Sequence, residues 1–534
     1  MTELTWEPPG PGVWFASAEH MPTPGCTLLV ELLPGTARGW GMGNDEYGLL
    51  PNTAAFGASN RWFYYSPGVP GPIDVEALDQ RAAASLAERR WRADLRRWHD
   101  EVRPAVMAES RALVAAPLGT LDDVELGVHL GRAIDHFVER APMHFSATAA
   151  GTGACGALLH ATGGWGLDPR EVLLALAGSA PASSSGERLL DRIAAGLREA
   201  GVEDVESLGA VHRVGGDAAA ALDELLVDYG WRVFNVDLLE PTLAERPESV
   251  LASIRAALAG WARRSRPDGR ALAALRAQVP EGERAELDEL VADASAAYGY
   301  NDDNTAVLFS LPLGLVRRAV LEVGRRLAER EAVLDADDAF EATRGELEAL
   351  ISGGGPPAEE LARRSAVRRA AARVVPPPML GTPVEPPVVD PGPYTRRLEE
   401  VFDAFRSAAW ARDAQEGRAA ATVGTEVVRG RAVVVVDAAD AIARIEPGDV
   451  LVARTTTASF NVIFPLVAAV AVQEGSLMSH PAVLARELGL TAVIGVPDLL
   501  SRVADGDTVE IDPVAGTIRV VMPGRLLRRG PRRG

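Results

Sequence analysis

The sequence predicts a multidomain α+β chain, a mostly α-helical block followed by a compact β/α domain. Three observations carry that prediction. Residues 75–370 are dominated by Ala, Leu, Arg and Glu at helical spacing. Eight prolines fall from Pro376 through Pro393. Beyond them, short Val-rich runs bounded by glycine turns replace the helical pattern. A length of 534 residues fits about three domains.

In chain order, residues 1–373 form the helical block, and its first part, 1–70, is rich in Gly, Pro and aromatics with few helical periods. That part is expected to be irregular. Helical spacing begins at Val75–Val102, where Leu86, Trp91, Leu95, Trp98 and Val102 recur, and Pro104 is expected to interrupt or end it. Further helices are expected at Leu121–Arg140, Glu187–Ala200, Ala218–Tyr229, Pro247–Arg264, Gly282–Tyr298, Leu313–Arg330 and Ala336–Ile351. Residues 374–393 read as a proline-rich linker of extended backbone, either a free spacer or a segment lying along a domain surface. A connecting helix follows within 394–418. The β/α domain spans 419–522, with strands expected at Arg431–Val436, Asp449–Ala453, Leu466–Gln473 and Thr491–Gly495. Thr508–Ile511 and Thr517–Val521 read as a hairpin, and Ala482–Leu488 as a helix. Residues 523–534 are a basic tail punctuated by Gly and Pro, expected to lack fixed structure.

Composition narrows the chemistry. A net charge of −20 argues against nucleic acid or an anionic membrane surface as partner. Two cysteines, Cys26 and Cys155, exclude a disulfide framework and a cysteine-rich zinc site. No apolar run reaches the ~18–20 residues of a membrane span. The N-terminus lacks a basic and apolar leader pattern, so a cytoplasmic protein is expected. Every basic residue is arginine, which removes Schiff-base lysines and a P-loop lysine from consideration.

Of the eight histidines, only His480 lies in the β/α domain. It follows the loop Glu474-Gly-Ser-Leu-Met-Ser479 at the end of a predicted buried strand. Ser479 suits a helix N-cap, Pro481 the first helical turn and Gly489 the C-terminal stop. His480 should therefore open a short helix, where the positive helix end favours a phosphate. A neutral imidazole there can attack phosphorus and form a phosphohistidine, with the Ser479 hydroxyl near the phosphoryl oxygens. An exposed histidine without a role fits the same geometry.

The run Glu474-Gly-Ser-Leu-Met-Ser-His480 is followed by Ala485-Arg-Glu-Leu-Gly-Leu-Thr-Ala-Val-Ile-Gly495. With Gly448-Asp-Val-Leu-Val452 and Asp505-Gly-Asp507, it resembles the swivelling phosphohistidine domain of the PEP-utilising enzymes. The tetrad Leu477-Met-Ser-His480 is similar to that of the rifampin phosphotransferases within that family. So, more weakly, are His20-Met-Pro-Thr-Pro24, Arg61-Trp-Phe-Tyr-Tyr65 and Tyr229-Gly-Trp-Arg232. The resemblance implies that His480 carries a phosphoryl group, with Ser479 beside it and Gly475, Ser476 and Arg486 supporting the phosphoryl loop. It implies a helical substrate-binding domain joined to a mobile domain. ATP would go to AMP with the β-phosphoryl retained on histidine.

Departures mark the differences. Ser476 stands where relatives have a second glycine, Pro481 where they have a small residue and Trp231 where they have a histidine. Asn301-Asp-Asp303 replaces an Arg-Glu pair. The ATP-grasp domain of those relatives has no counterpart in these residues. No cofactor bound tightly by the chain is therefore expected, and ATP and magnesium are expected at a separate ATP-grasp partner protein. The acceptor is a small-molecule hydroxyl or carboxyl. Two alternatives stand: phosphorylation driving a dehydration or cyclisation, and a non-catalytic binding or regulatory subunit.

Other signals are weaker. Gly151-Thr-Gly-Ala-Cys-Gly156 fits G-x-G-x-x-G but follows a predicted helix instead of a strand, which points to close packing and not to a dinucleotide. No histidine spacing suits a metal. His20, Trp62, Tyr64, His136 and His144 are candidates to line a pocket for a bulky, partly apolar substrate, and Arg232 to hold its carboxylate or phosphate.

Overall fold

A computed structural model of the chain describes residues 5–17, 21–68, 71–179, 185–233, 236–260, 269–384, 389–410, 419–436, 440–441, 444–456, 460, 463–464 and 466–524. His20, part of the proline-rich run and the basic tail from 525 onward lie outside the described residues. The chain forms a helical region and a C-terminal β/α domain, distributed over two compact units. One comprises Met1–Ala154, Leu226–Arg246 and Tyr300–Phe402, and the other Cys155–Leu225, Pro247–Gly299 and Asp403–Gly534.

In the first unit, the segment expected to be irregular builds an antiparallel sheet. Its strands are β1 (Val13–Ala16), β2 (Ala55–Ser59), β3 (Trp62–Ser66) and β4 (Met379–Gly381), in the order β2-β3-β1-β4. The β2–β3 turn is Asn60-Arg61, with φ of 47° and 71°. A two-residue hairpin requires this left-handed pair to match strand twist, and asparagine tolerates it best after glycine. Arg61 is held there because its Nη1 donates to Thr27 Oγ1 at 2.8 Å and to Glu341 Oε2 at 2.9 Å. The strand β4 lies within the proline-rich run and pairs with β1. Trp14, Trp62, Tyr64 and Leu380 form the core of this sheet.

Behind the sheet, the helices Asp123–Gly164 (in its N-terminal part) and Leu311–Glu329 share a core of Leu130, Ile134, Phe137, Leu313, Val316, Val320 and Phe340. Helix Asp123–Gly164 runs well beyond the expected Arg140 and keeps Pro142 inside. Its glycines mark close approaches: a Cβ on Gly151 would sit 2.7 Å from Asn301 Oδ1, and one on Gly153 3.0 Å from Trp91. The G-x-G-x-x-G run is thus a packing seam within a helix. The stretch expected as Val75–Val102 breaks at Arg89, whose φ of 46° ends the helix Val75–Glu88. A π-helical turn, Trp98–Val102, then leads into Arg103–Ala115, where Pro104 sits in the first turn and needs no N–H. Ala336–Ile351 is a 3-10 turn, Ala336–Glu341, followed by the helix Arg344–Ile351, started afresh by a Thr343/Glu346 capping box.

In the second unit, a curled mixed sheet has the order β11-β10-β6-β7-β8-β9-β5. Its strands are β5 (Ala421–Val423), β6 (Val428–Val435), β7 (Val450–Ala453), β8 (Ala469–Val472), β9 (Thr491–Ile494), β10 (Thr508–Asp512) and β11 (Thr517–Met522). The strands β6 to β9 run parallel, and β7, β8 and β9 are buried along their whole lengths. Parallel strands covered on both faces explain the unbroken Val/Ala runs. Helices in residues 155–299 complete the unit, among them Ser185–Glu199 and Arg284–Tyr298. No helix among the described residues is long and apolar enough to cross a membrane.

Two outcomes follow from this packing. A Cβ on Gly314 would lie 1.5 Å from the Trp231 carbonyl oxygen, so Gly314→Ala is expected to cost about 3 kcal/mol, measured by urea unfolding. His129 is 6% exposed. Burial first, then the charges of Arg318 and Arg132, push its imidazole from 6.5 down to about 4. The unfolded chain then binds the extra proton between these values, so stability falls as pH drops from about 6.5 towards 4. Relative to His129→Gln, the wild type should lose about 2 kcal/mol between pH 7 and pH 4.5 in the same assay.

Candidate functional site

The candidate site grows from the C-terminal ends of β7 and β8. Ladder hydrogen bonding continues past the strands: the Gln473 N–H donates to Ala453 O at 3.1 Å and the Glu474 N–H to Arg454 O at 2.8 Å. An ion pair of 3.0 Å between Arg454 Nη1 and Glu474 Oε1 adds to it. The chain then turns sharply at Gly475, whose φ is 138°. A Cβ here would meet Ile494 Cγ2 at 2.7 Å and Ser479 Oγ at 3.0 Å, so the position needs glycine on two grounds.

Residues Ser476 to Ser479 close on themselves. The Ser476 N–H donates to Ser479 Oγ at 3.1 Å, and the Ser479 hydroxyl donates to Ser476 O at 2.8 Å. Ser479 is the N-cap of the helix His480–Glu487 in backbone conformation, with φ −68° and ψ 155°, but its hydroxyl does not cap the helix. The Ala482 and Val483 N–H groups donate to the Ser479 carbonyl instead, at 2.9 and 3.1 Å. Pro481 has no N–H. An anion at His480 is thus favoured mainly by the partial positive charge of the helix end.

His480 is the first helical residue and is half-buried. Its ring lies 6.5 Å from the buried Phe464 ring in an edge-on arrangement. The phenyl ring lies on one side of the imidazole, and the histidine retains contact with solvent.

The structure places the remaining sequence-predicted residues as follows. Gly475, Ser476, Ser479 and His480 come together in the loop. Arg486 lies six residues along the helix, about 9 Å from the loop end. Its side chain is buried and Nη1 donates to Tyr298 Oη at 2.9 Å. Trp62 and Tyr64 are buried in the sheet core, with Trp62 Nε1 donating to Ala371 O at 3.2 Å and Tyr64 Oη to Pro377 O at 3.0 Å. His136 is buried between Ser110 Oγ, 2.9 Å from Nε2, and Glu109 Oε2, 3.0 Å from Nδ1. Burial, then Arg140, lowers its pKa against the opposing pull of Glu109. Arg232 stacks on Tyr229, 3.9 Å from the ring centroid, and among the described residues its buried Nε has no hydrogen-bond partner.

His144 belongs to a different cluster. It hydrogen-bonds Asn304 and packs on Phe145 and Phe309, with centroid distances of 4.7 and 5.8 Å. Trp40 and Phe56 extend the cluster, Trp40 lying 4.4 Å from Phe145 and 5.4 Å from Phe56. Trp40, Phe56 and Phe145 are half-buried. The sequence reading missed these aromatics, although Trp40 stands between Gly39 and Gly41, and a Cβ on Gly39 would lie 1.9 Å from Pro142 O. Among the described residues no group of three or more His, Cys, Asp or Glu side chains is arranged to hold a metal ion.

Comparison with known proteins agrees with this geometry. Residues 445–516, which lie within the C-terminal β/α domain, match the family described as PEP-utilising enzyme, mobile domain. Among individual proteins, the chain is similar to a rifampicin phosphotransferase of a Streptomyces species, 29% identical over 462 residues, covering 79% of this chain and 50% of that protein. It is similar to the rifampicin phosphotransferase of Streptomyces sviceus, 29% identical over 341 residues, covering 60% of this chain and 37% of that protein. A pyruvate kinase of Lactobacillus delbrueckii subsp. bulgaricus is 40% identical over 96 residues, covering 18% of this chain and 16% of that protein. The chain spans half or less of the length of these relatives.

The loop geometry sets an expected outcome. Gly475→Ala should displace the Ser476–Ser479 turn while the sheet keeps its fold, giving an unchanged far-ultraviolet circular dichroism spectrum. Reactivity of His480 towards diethyl pyrocarbonate, read by mass spectrometry, should change at least about threefold, since the strained φ and the Cβ contacts both oppose the native turn.

Proposed function

We propose that this chain is a phosphotransferase component in which His480 transiently carries a phosphoryl group to a small-molecule hydroxyl or carboxyl. The observation that supports it most is the position of His480: first residue of a helix, after a glycine-serine loop, partly open to solvent, within a domain that matches the PEP-utilising mobile domain.

In this reading, the lone pair of an imidazole nitrogen attacks the β-phosphorus of ATP and AMP leaves. Hydrolysis releases the terminal phosphate and leaves the β-phosphoryl group on nitrogen. An acceptor oxygen then attacks that phosphorus, the P–N bond breaks and neutral imidazole is regenerated as the acceptor proton is lost to solvent. The helix end favours the added negative charge, and the Ser476–Ser479 turn holds the backbone. We place the ATP-grasp site on a partner, where magnesium would offset the nucleotide charge. The aromatic cluster of half-buried Trp40, Phe56, Phe145 and His144 over the buried Phe309 supports a bulky, partly apolar acceptor.

Incubation with an ATP-grasp partner and ATP labelled with ³²P at the β-position tests this. Acid-labile, base-stable label should appear on His480, disappear in His480→Ala and be discharged by the acceptor. Label absent from the wild type, or equal label in His480→Ala, would refute the assignment.

A further inference from the structure

The helix His480–Glu487 has two unlike ends. Its first residue meets the serine turn and solvent. Its last turn carries Arg486 and Glu487, 3% and 7% exposed, and charged side chains are seldom buried this far without partners. Both find polar contacts far along the chain inside the same compact unit. Arg486 Nη1 donates to Tyr298 Oη at 2.9 Å, across 188 residues of sequence. The Gly178 N–H donates to Glu487 Oε1 at 2.9 Å, across 309 residues. Tyr298 is the last residue of the helix Arg284–Tyr298 and is itself buried. Burial raises its phenol pKa while Arg486 opposes the rise, so the hydroxyl stays protonated.

We infer that this arginine–glutamate end is a polar latch that seats the phosphohistidine domain on the helices of residues 155–299, with Arg486, Glu487 and Tyr298 as positioning residues. The inference deepens the reading of His480 as phosphoryl carrier and rests on it. The chemistry of the contact suits reversibility. On release, a guanidinium and a carboxylate return to water and regain hydration, whereas an apolar seat of equal size would expose hydrocarbon. Among the described residues the seat is also incompletely satisfied, because Arg486 Nη2 is buried there with no hydrogen-bond partner. An unmet buried donor weakens the closed state and keeps it from being permanent. Position follows from the helix, since eight residues span about 10 Å as a rigid rod. Fixing its last turn fixes the direction in which its first residue points.

Hydrogen–deuterium exchange of the full chain tests the latch, comparing wild type with Tyr298→Phe and Glu487→Gln. Each change keeps side-chain shape: Tyr298→Phe removes the acceptor of the buried Arg486, and Glu487→Gln keeps an acceptor oxygen for the Gly178 N–H but removes the carboxylate charge that strengthens the bond. The expected result is roughly fivefold faster exchange in residues 482–489 and 291–298, with amides of β7, β8 and β9 unchanged. Unchanged exchange in both segments would overturn the latch. So would acceleration of those strands by the same factor, because that pattern means general destabilisation. In parallel, each protein is treated with phosphoramidate, which transfers its phosphoryl group to imidazole nitrogen as the P–N bond breaks and ammonia leaves. Labelling of His480 with unchanged exchange refutes the latch and keeps the carrier. Altered exchange with no label on His480 in any protein keeps the seat and refutes the carrier. A latch that positions His480 should also shift the rate of this labelling in both variants relative to wild type, and an identical rate in all three would overturn the positioning role.

Discussion

The site depends on one small closed structure, the turn in which Ser476 and Ser479 satisfy each other through a hydroxyl that both accepts and donates. That turn holds Ser479 in extended conformation and hands the chain to the helix with His480 at its first position. The turn in turn requires Gly475, since any side chain there would run into Ile494 and Ser479. Ile494 belongs to β9, so the loop is shaped against the interior of the sheet. Ser476 takes part in these bonds only through its backbone N–H and carbonyl.

The rest of the domain serves as a rigid base for that loop. The strands β7, β8 and β9 are buried on both faces, and their hydrogen-bond ladder runs on to Glu474 before the chain turns. The helix that begins at His480 is then held at its far end by Arg486 and Glu487. A side chain at the end of a loop is positioned well when both sides of the loop are anchored in this way.

Arginine carries a structural load across the molecule that lysine shares in most proteins. Glu341, almost fully buried, accepts from Arg61, Arg368 and Thr27. Arg317 spans Glu245 with two nitrogens and reaches Leu238 O with a third. One planar, always-charged group with five donors can satisfy a buried carboxylate and a carbonyl together, which an ammonium on a flexible stem does less well.

Local sequence pattern was enough to read the α+β class, most helices, the strands β6 to β9 (though not their parallel pairing), the hairpin β10–β11 and the loop that presents His480. Each of those depends on periodicity, capping residues or glycine positions within a few residues of one another. The N-terminal sheet was not legible. Its edge strand β4 arrives from more than 300 positions away, and its hairpin turn uses Asn60-Arg61 instead of a glycine pair. The aromatic cluster around His144 was hidden for the same reason, since Trp40 and Phe56 meet Phe145 and Phe309 from widely separated parts of the chain. Arg486 shows the division within a single helix: its place two residues after Leu484 is local pattern, but its pairing with Tyr298 comes from a contact between distant segments. Chain-local rules determine which residues turn, cap and alternate. Contacts between remote segments arise only when the hydrophobic cores close and select which polar groups must satisfy one another, and that selection belongs to the tertiary structure.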